Sequence, residues 1–226
     1  MSDHELLGQR EIVQKLVADA FPRGIQRDAR SNMGAFPSMG AEMVEDIFQR
    51  RSSVRFFNRD DGVDFNDLKI LLSDVALFEE SIWGGGDPRL QLRAYVFPER
   101  ISAGHMDSRC VYEFVADSAT FASVGRLRSG MTKESMVLQK EFVDAAAILI
   151  WVAGLADAVD DYGSCAYKEL LIRSGALAHF AWLKSLSLGY EGTVFAGILP
   201  KVLRQVCGID GYRKNQMFAF ALGKRA

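Results

Sequence analysis

The stretch AAILIWVA, residues 146–153, decides the architecture. It is continuous, apolar, short and rich in β-branched and aromatic side chains, so it reads as a strand covered on both faces. Such a strand belongs at the centre of a sheet. The wider apolar run, residues 145–156, is fenced by Asp144 and Asp157 and is shorter than the roughly 18 residues of a membrane-spanning helix.

Working outward, residues 167–188 lack proline and read as one long central helix. Ser174, Gly175, Ala176, Ala178 and Ala181 interrupt its larger apolar residues, and small side chains let another backbone approach closely. Thr193 to Gly197 reads as a short extended turn, 199–207 as a helix stopped by Gly208, and 217–222 as a last strand. Upstream, Leu90, Leu92, Ala94 and Val96 alternate with Gln91, Arg93, Tyr95 and Phe97 in a strand pattern. Two shorter strands are expected at 110–115 and 120–127, then a helix at 133–145.

Asp64 caps a helix whose inward face is Leu68, Leu71, Leu72 and Val75. Met43, Val44, Ile47 and Phe48 mark a shorter helix before it. Ser2 and Glu5 have capping-box spacing, which predicts a first helix ending at Phe21, followed by a long connection over 22–40. The expected division is 1–45, a helix and extended loop, and 46–226, the main domain. Helices and strands in mixed order, with hairpin-like pairs between them, point to an α+β fold.

Of the 226 residues 49% are apolar and 25% charged, with a net charge of −2. That balance argues against a protein that coats nucleic acid or an anionic membrane. The three cysteines are widely spaced without a CxxC pair, which fits a reducing, cytoplasmic setting and offers no metal knuckle. The start MSDHELLGQREIV lacks the basic segment of a secretory signal. No metal ligand set, P-loop, nucleophile elbow or dinucleotide fingerprint is present. His179 has no acid at i±3 or i±4 to orient it.

The informative cluster is RRSSVR, residues 50–55. In an extended segment Arg51, Ser53 and Arg55 share one face: two guanidinium groups and a hydroxyl, suited to a phosphate or an anionic ring edge. A solvated basic turn reads equally from the residues alone.

That segment followed by DFNDLKILL resembles the opening of the nitroreductase-like FMN flavoproteins. CVYEFVADSATFASVGRL (110–127), DYGSCAYKELLIRSGALAHFAWLKSLSLG (161–189), GTVFAG (192–197) and FALG (220–223) resemble one branch, the azoline dehydrogenases of streptolysin and microcin type. The resemblance runs over about 46–223. It implies a mostly antiparallel sheet flanked by helices, a homodimer with the long helix at its interface, and FMN as cofactor. Arg51, Ser53 and Arg55 would hold the FMN phosphate, ribityl chain and ring edge; Phe195, Ala196 and Gly197 would lie along the isoalloxazine. Lys224 and Arg225 follow the last strand, where the family often places a phosphate-binding basic residue; a disordered basic end is the other reading. The partners implied are a cyclodehydratase complex and a precursor peptide.

Two departures matter. The branch has a Lys-Tyr pair for proton transfer before its central helix, whereas Asp161-Tyr162 stands here. A desolvated Asp161 would be a base of suitable pKa, and an exposed residue at a helix terminus is its structural reading. WGGGDPRLQ (83–91) replaces a segment that normally carries a serine near the flavin. The sequence therefore implies FMN-dependent dehydrogenation of azolines, with catalytic Tyr162 and Asp161. The alternatives are an NAD(P)H-dependent nitro or quinone reductase, and a non-catalytic scaffold subunit.

Overall fold

The computed structural model describes residues 41–84 and 87–226. The predicted first helix and the 22–40 connection lie outside the described residues. In chain order the elements are α1 (Ala41–Arg50), β1 (Val63–Asp64), α2 (Phe65–Trp83), β2 (Leu92–Pro98), β3 (Ile101–Ser102), β4 (Cys110–Val115), β5 (Thr120–Arg126), β6 (Ala147–Ala153), α3 (Leu155–Tyr162), α4 (Cys165–Ser187), β7 (Glu191–Phe195), α5 (Pro200–Cys207) and β8 (Asn215–Gly223).

Six strands form one sheet in the order β5-β4-β2-β6-β8-β7, every neighbouring pair antiparallel. β1 and β3 make a separate two-residue parallel pair. β6 is central, and all seven of its residues are buried. Its alternate side chains serve two cores. Leu149 and Trp151 pack with Leu68, Leu72, Leu177 and Trp182 of α2 and α4. Ile148, Ile150 and Val152 pack with Tyr95, Phe97, Phe195, Leu203 and Val206 on the other face. Covering on both faces removes any need for polar alternation. Each large side chain so buried contributes about 1.5–3 kcal/mol, and Leu149→Ala is expected to cost about 2–5 kcal/mol.

Asp64 caps α2 as expected, accepting from the amides of Asn66 (2.8 Å) and Asp67 (3.4 Å), and Gly84 ends the helix in the left-handed region. The long helix appears as α4, about 35 Å at 1.5 Å per residue. Leu170, Leu177, Ala178, Ala181 and Trp182 face the core, while Tyr167, Leu171 and Ile172 are exposed. Gly175 has open space where a side chain would sit.

Two expectations are corrected. The segment 133–145 is not a helix but two 3-10 turns, Lys133–Ser135 and Lys140–Asp144. Lys133 is buried and ion-paired with Glu99 at 2.8 Å, and residues 136–138 are drawn out to pair with the chain after β7. Residues 193–195 are part of the edge strand β7, paired along its length with β8.

Candidate functional site

The chain leaves α1 at Arg51, whose amide still donates to Ile47, and is then laid against the ends of β7 and β8. Val54 N donates to Gly192 O (3.3 Å), Asn58 N to Lys224 O (2.9 Å) and Ala226 N to Phe56 O (3.2 Å), and Phe57 bridges Arg225. Val54 and Phe57 enter the core, while Ser53 and Arg55, on either side of Val54, are exposed. With Val54, Phe56, Arg225 and Ala226 they line a cavity of about 250 Å³. Two guanidinium groups and a hydroxyl on one cavity form a donor set that fits a phosphate.

The other expected basic residues point elsewhere. The Arg51 guanidinium lies 4.7 Å above the Trp182 ring, and burial, with Arg51 nearby, pulls the His179 imidazole below its ordinary pKa. Lys224 donates to Gly189 O at 2.8 Å and sits 4.7 Å over the Tyr190 ring. The basic end pairs with Phe57, with Lys224 against Gly189 and Tyr190 and Arg225 in the cavity lining.

Val54 meets Gly192 near the start of β7, and Gly197 lies five residues further on, about 16 Å at 3.3 Å per residue. The cradle and the 195–197 turn therefore share one edge strand. Phe195 is buried, its ring 4.5 Å from that of Phe142. Gly197 O accepts from Leu138 N at 2.7 Å. A Cβ on Gly197 would stand 2.7 Å from Gln139 Oε1 and 3.2 Å from Leu138 Cβ. The missing side chain thus makes room for this chain's own Gln139.

Asp161 and Tyr162 end α3 at the Ala153 end of β6, whereas the cradle is at the Gly223 end of β8, beside Ala147. Six residue steps separate those ends, about 20 Å, so one protomer does not bring the two groups together. Tyr162 donates to the Asp87 carboxylate, and Arg89 pairs with both Asp87 and Asp161. Arg89 Nε also donates to Asp87 Oδ1 at 2.7 Å, with the guanidinium 5.4 Å from the Tyr162 ring centre. The Arg89 and Tyr162 hydrogen bonds hold the Asp87 carboxyl well below the usual range. The Asp87 hydrogen bond in turn raises the Tyr162 phenol. Asp161 is partly exposed and ion-paired, which fits its structural reading and not that of a desolvated base.

Behind this turn, Arg173 donates to Leu90 O at 3.3 Å, pairs with Glu169 at 3.0 Å and stacks 5.1 Å over Trp83. Glu79 accepts from Leu92 N at 3.2 Å, and burial pushes its carboxyl up to about 7 against the Leu92 amide and Arg173. Sequence reading missed Asp87, Arg89, Glu79, Arg173, Leu138 and Gln139 as parts of these two regions. The one local signal was Asp87-Pro88-Arg89, a capped turn before a strand; the rest depends on partners distant in sequence.

No family model and no curated protein matches the sequence. Solved structures do match in fold. A protein of Anabaena variabilis assigned to the nitroreductases superimposes with TM-score 0.67 at 19% identity over 81% of this chain, which spans 38% of that one. A chain of the E. coli microcin synthetase McbBCD complex with truncated pro-MccB17 bound gives TM-score 0.58 at 12% identity, covering 100% of this chain and 95% of that one. A Desulfovibrio desulfuricans protein assigned to the nitroreductases, solved in complex with FMN, gives TM-score 0.52 at 15% identity over 84% of this chain and 88% of that one. With its helix-flanked antiparallel sheet matched over most of its length, this chain has the nitroreductase fold.

Proposed function

We propose that this chain is an FMN-dependent oxidoreductase that dehydrogenates azolines in a ribosomally made peptide. The observation that carries the flavin reading is the cavity lined by Ser53, Arg55 and Arg225 at the head of the strand leading to Phe195, Ala196 and Gly197. A fold neighbour that holds FMN supports it, and the match along the whole chain to a component of a microcin synthetase complex supports the peptide substrate. A cyclodehydratase complex and a precursor peptide are the partners this reading implies.

FMN, when bound, supplies the two-electron acceptor. Arg55 and Arg225 would oppose the phosphate charge, and the Ser53 hydroxyl would donate to a phosphate or ribityl oxygen. The chain after β7 would line the ring. Tyr162, its hydroxyl held by Asp87, would stand as the proton-handling group beside the substrate.

The working unit in this reading is a homodimer. A cavity of about 250 Å³ is smaller than the roughly 300–1,000 Å³ of ligand pockets. A second copy docked on the exposed Tyr167, Leu171 and Ile172 face of α4 would close the site.

One observation favours a second reading, NAD(P)H-dependent reduction of a nitro compound or quinone. Tyr162 is kept a neutral phenol, and Asp87 is too weak a base to take its proton at neutral pH, an arrangement better suited to donating a proton than to removing one. The test is direct: purified protein is mixed with an azoline-containing peptide under air, and mass spectrometry reads the loss of two hydrogens per ring. The azoline reading predicts that loss and no bleaching by NADPH or NADH; rapid anaerobic bleaching with an unchanged peptide favours the reductase.

A further inference from the structure

Residues 136–139 form a strap that has no part in the site as read from sequence. Leu138 N donates to Gly197 O (2.7 Å), Leu199 N donates to Met136 O (2.6 Å), and Val137 bridges Ile198 in antiparallel register. Met136 and Val137 are fully buried, which fixes the strap. Phe142, at its far end, packs on Phe195. The strap is therefore a short extra strand continuing the β7 edge beside Ala196 and Gly197.

Its two remaining side chains are unusual for such a rigid place. Leu138 is 67% exposed although Met136 and Val137 just before it are fully buried. Gln139 is exposed, and no other side chain engages its amide among the described residues. The absence of a side chain on Gly197 lets the Gln139 amide and the Leu138 Cβ press against that backbone. An apolar surface and a free amide, held side by side on anchored backbone, suit a flat heteroaromatic ligand: one covers a ring face, the other bonds a polar edge.

We propose that the 136–139 strap is a wall of the ring subsite, with Leu138 covering the isoalloxazine and the Gln139 amide hydrogen-bonded to its heteroatom edge. This rests on the reading that residues 195–197 line an FMN ring. Gln139→Glu replaces the amide's N–H donors with carboxylate charge while keeping shape, and Leu138→Ser removes the apolar cover; both positions are exposed, so the fold should survive.

The test uses full-length protein stripped of any bound flavin and titrated with FMN. Quenching of flavin fluorescence gives the dissociation constant, and dye equilibration gives the midpoint potential. The expected result is a dissociation constant raised at least tenfold and a more negative potential in Gln139→Glu, with weakening of several-fold in Leu138→Ser. Wild-type affinity, spectrum and potential in both variants would overturn the strap assignment while leaving the flavoprotein reading intact. Failure of the wild-type protein itself to take up FMN would overturn both.

Discussion

The Tyr162 hydroxyl donates a hydrogen bond to the Asp87 carboxylate, tying the last residue of α3 to the turn that precedes β2. Arg89 completes the tie by pairing with Asp87 and with Asp161, the neighbour of Tyr162. One guanidinium thus locks two elements that lie far apart in sequence.

The lock sets the proton state of Tyr162. Asp87 is the main cause of its raised pKa, and Arg89 works in the opposite direction. In Asp87→Asn the phenol should titrate at lower pH than in the wild type; in Arg89→Gln it should titrate higher. Tyrosinate absorbance against pH, with Tyr162→Phe subtracted, reads both shifts, and identical titrations would show the tie absent in solution.

Glu79 makes stability fall with rising pH. Its carboxyl is held at about 7 in the folded protein, chiefly by burial, against 4.5 when free. The unfolded chain therefore releases this proton first, and folding free energy is lost between those two pH values, amounting to about 3 kcal/mol. Glu79→Gln keeps an acceptor for Leu92 N and should gain most of that amount at pH 8 but little at pH 4.5. Urea melts at the two pH values check it; an equal effect at both would refute the assignment.

Gly175 separates two views of α4. A helix-interior glycine costs roughly 0.5–1 kcal/mol relative to alanine, and within the protomer a Cβ there meets nothing. Gly175→Ala should therefore stabilise an isolated protomer. If this face is the homodimer interface, the same change, and Gly175→Leu more strongly, should weaken association. Sedimentation equilibrium combined with thermal melting distinguishes the two signs.

How much of this is legible in the sequence follows from where each signal lies. The central strand was readable because seven consecutive buried residues need no partner to announce themselves, and α2 because Asp64 and its leucine face are local. The 133–145 segment departs from the expected helix because Met136, Val137 and Phe142 are apolar for a long-range reason: they fill the second core from a strap paired with residues 197–199. The cradle was half legible. Alternation placed Ser53 and Arg55 together, but nothing local could show that Arg51 would stack on Trp182 or that Arg225 would complete the cavity. The Asp87, Arg89 and Tyr162 tie spans more than seventy residues and leaves no trace in spacing.

Arg55 and Arg225 should distinguish FMN from riboflavin. Each charge-assisted hydrogen bond to a phosphate contributes about 1.5–3 kcal/mol, so Arg55→Gln or Arg225→Gln should weaken FMN binding tenfold or more. Riboflavin, which has no phosphate, should bind wild type and variants alike. Parallel fluorescence titrations with the two flavins measure this, and equal losses for both would point to general disruption of the cradle.

Binding of FMN by this chain is read from the visible absorption spectrum of the purified protein, followed by identification of whatever chromophore denaturation releases. The expected result is a flavin spectrum and FMN approaching one per chain, retained on gel filtration and diminished in the Arg55→Gln, Arg225→Gln double variant. Colourless protein that takes up no added FMN would contradict it and leave the chain a scaffold with a nitroreductase fold.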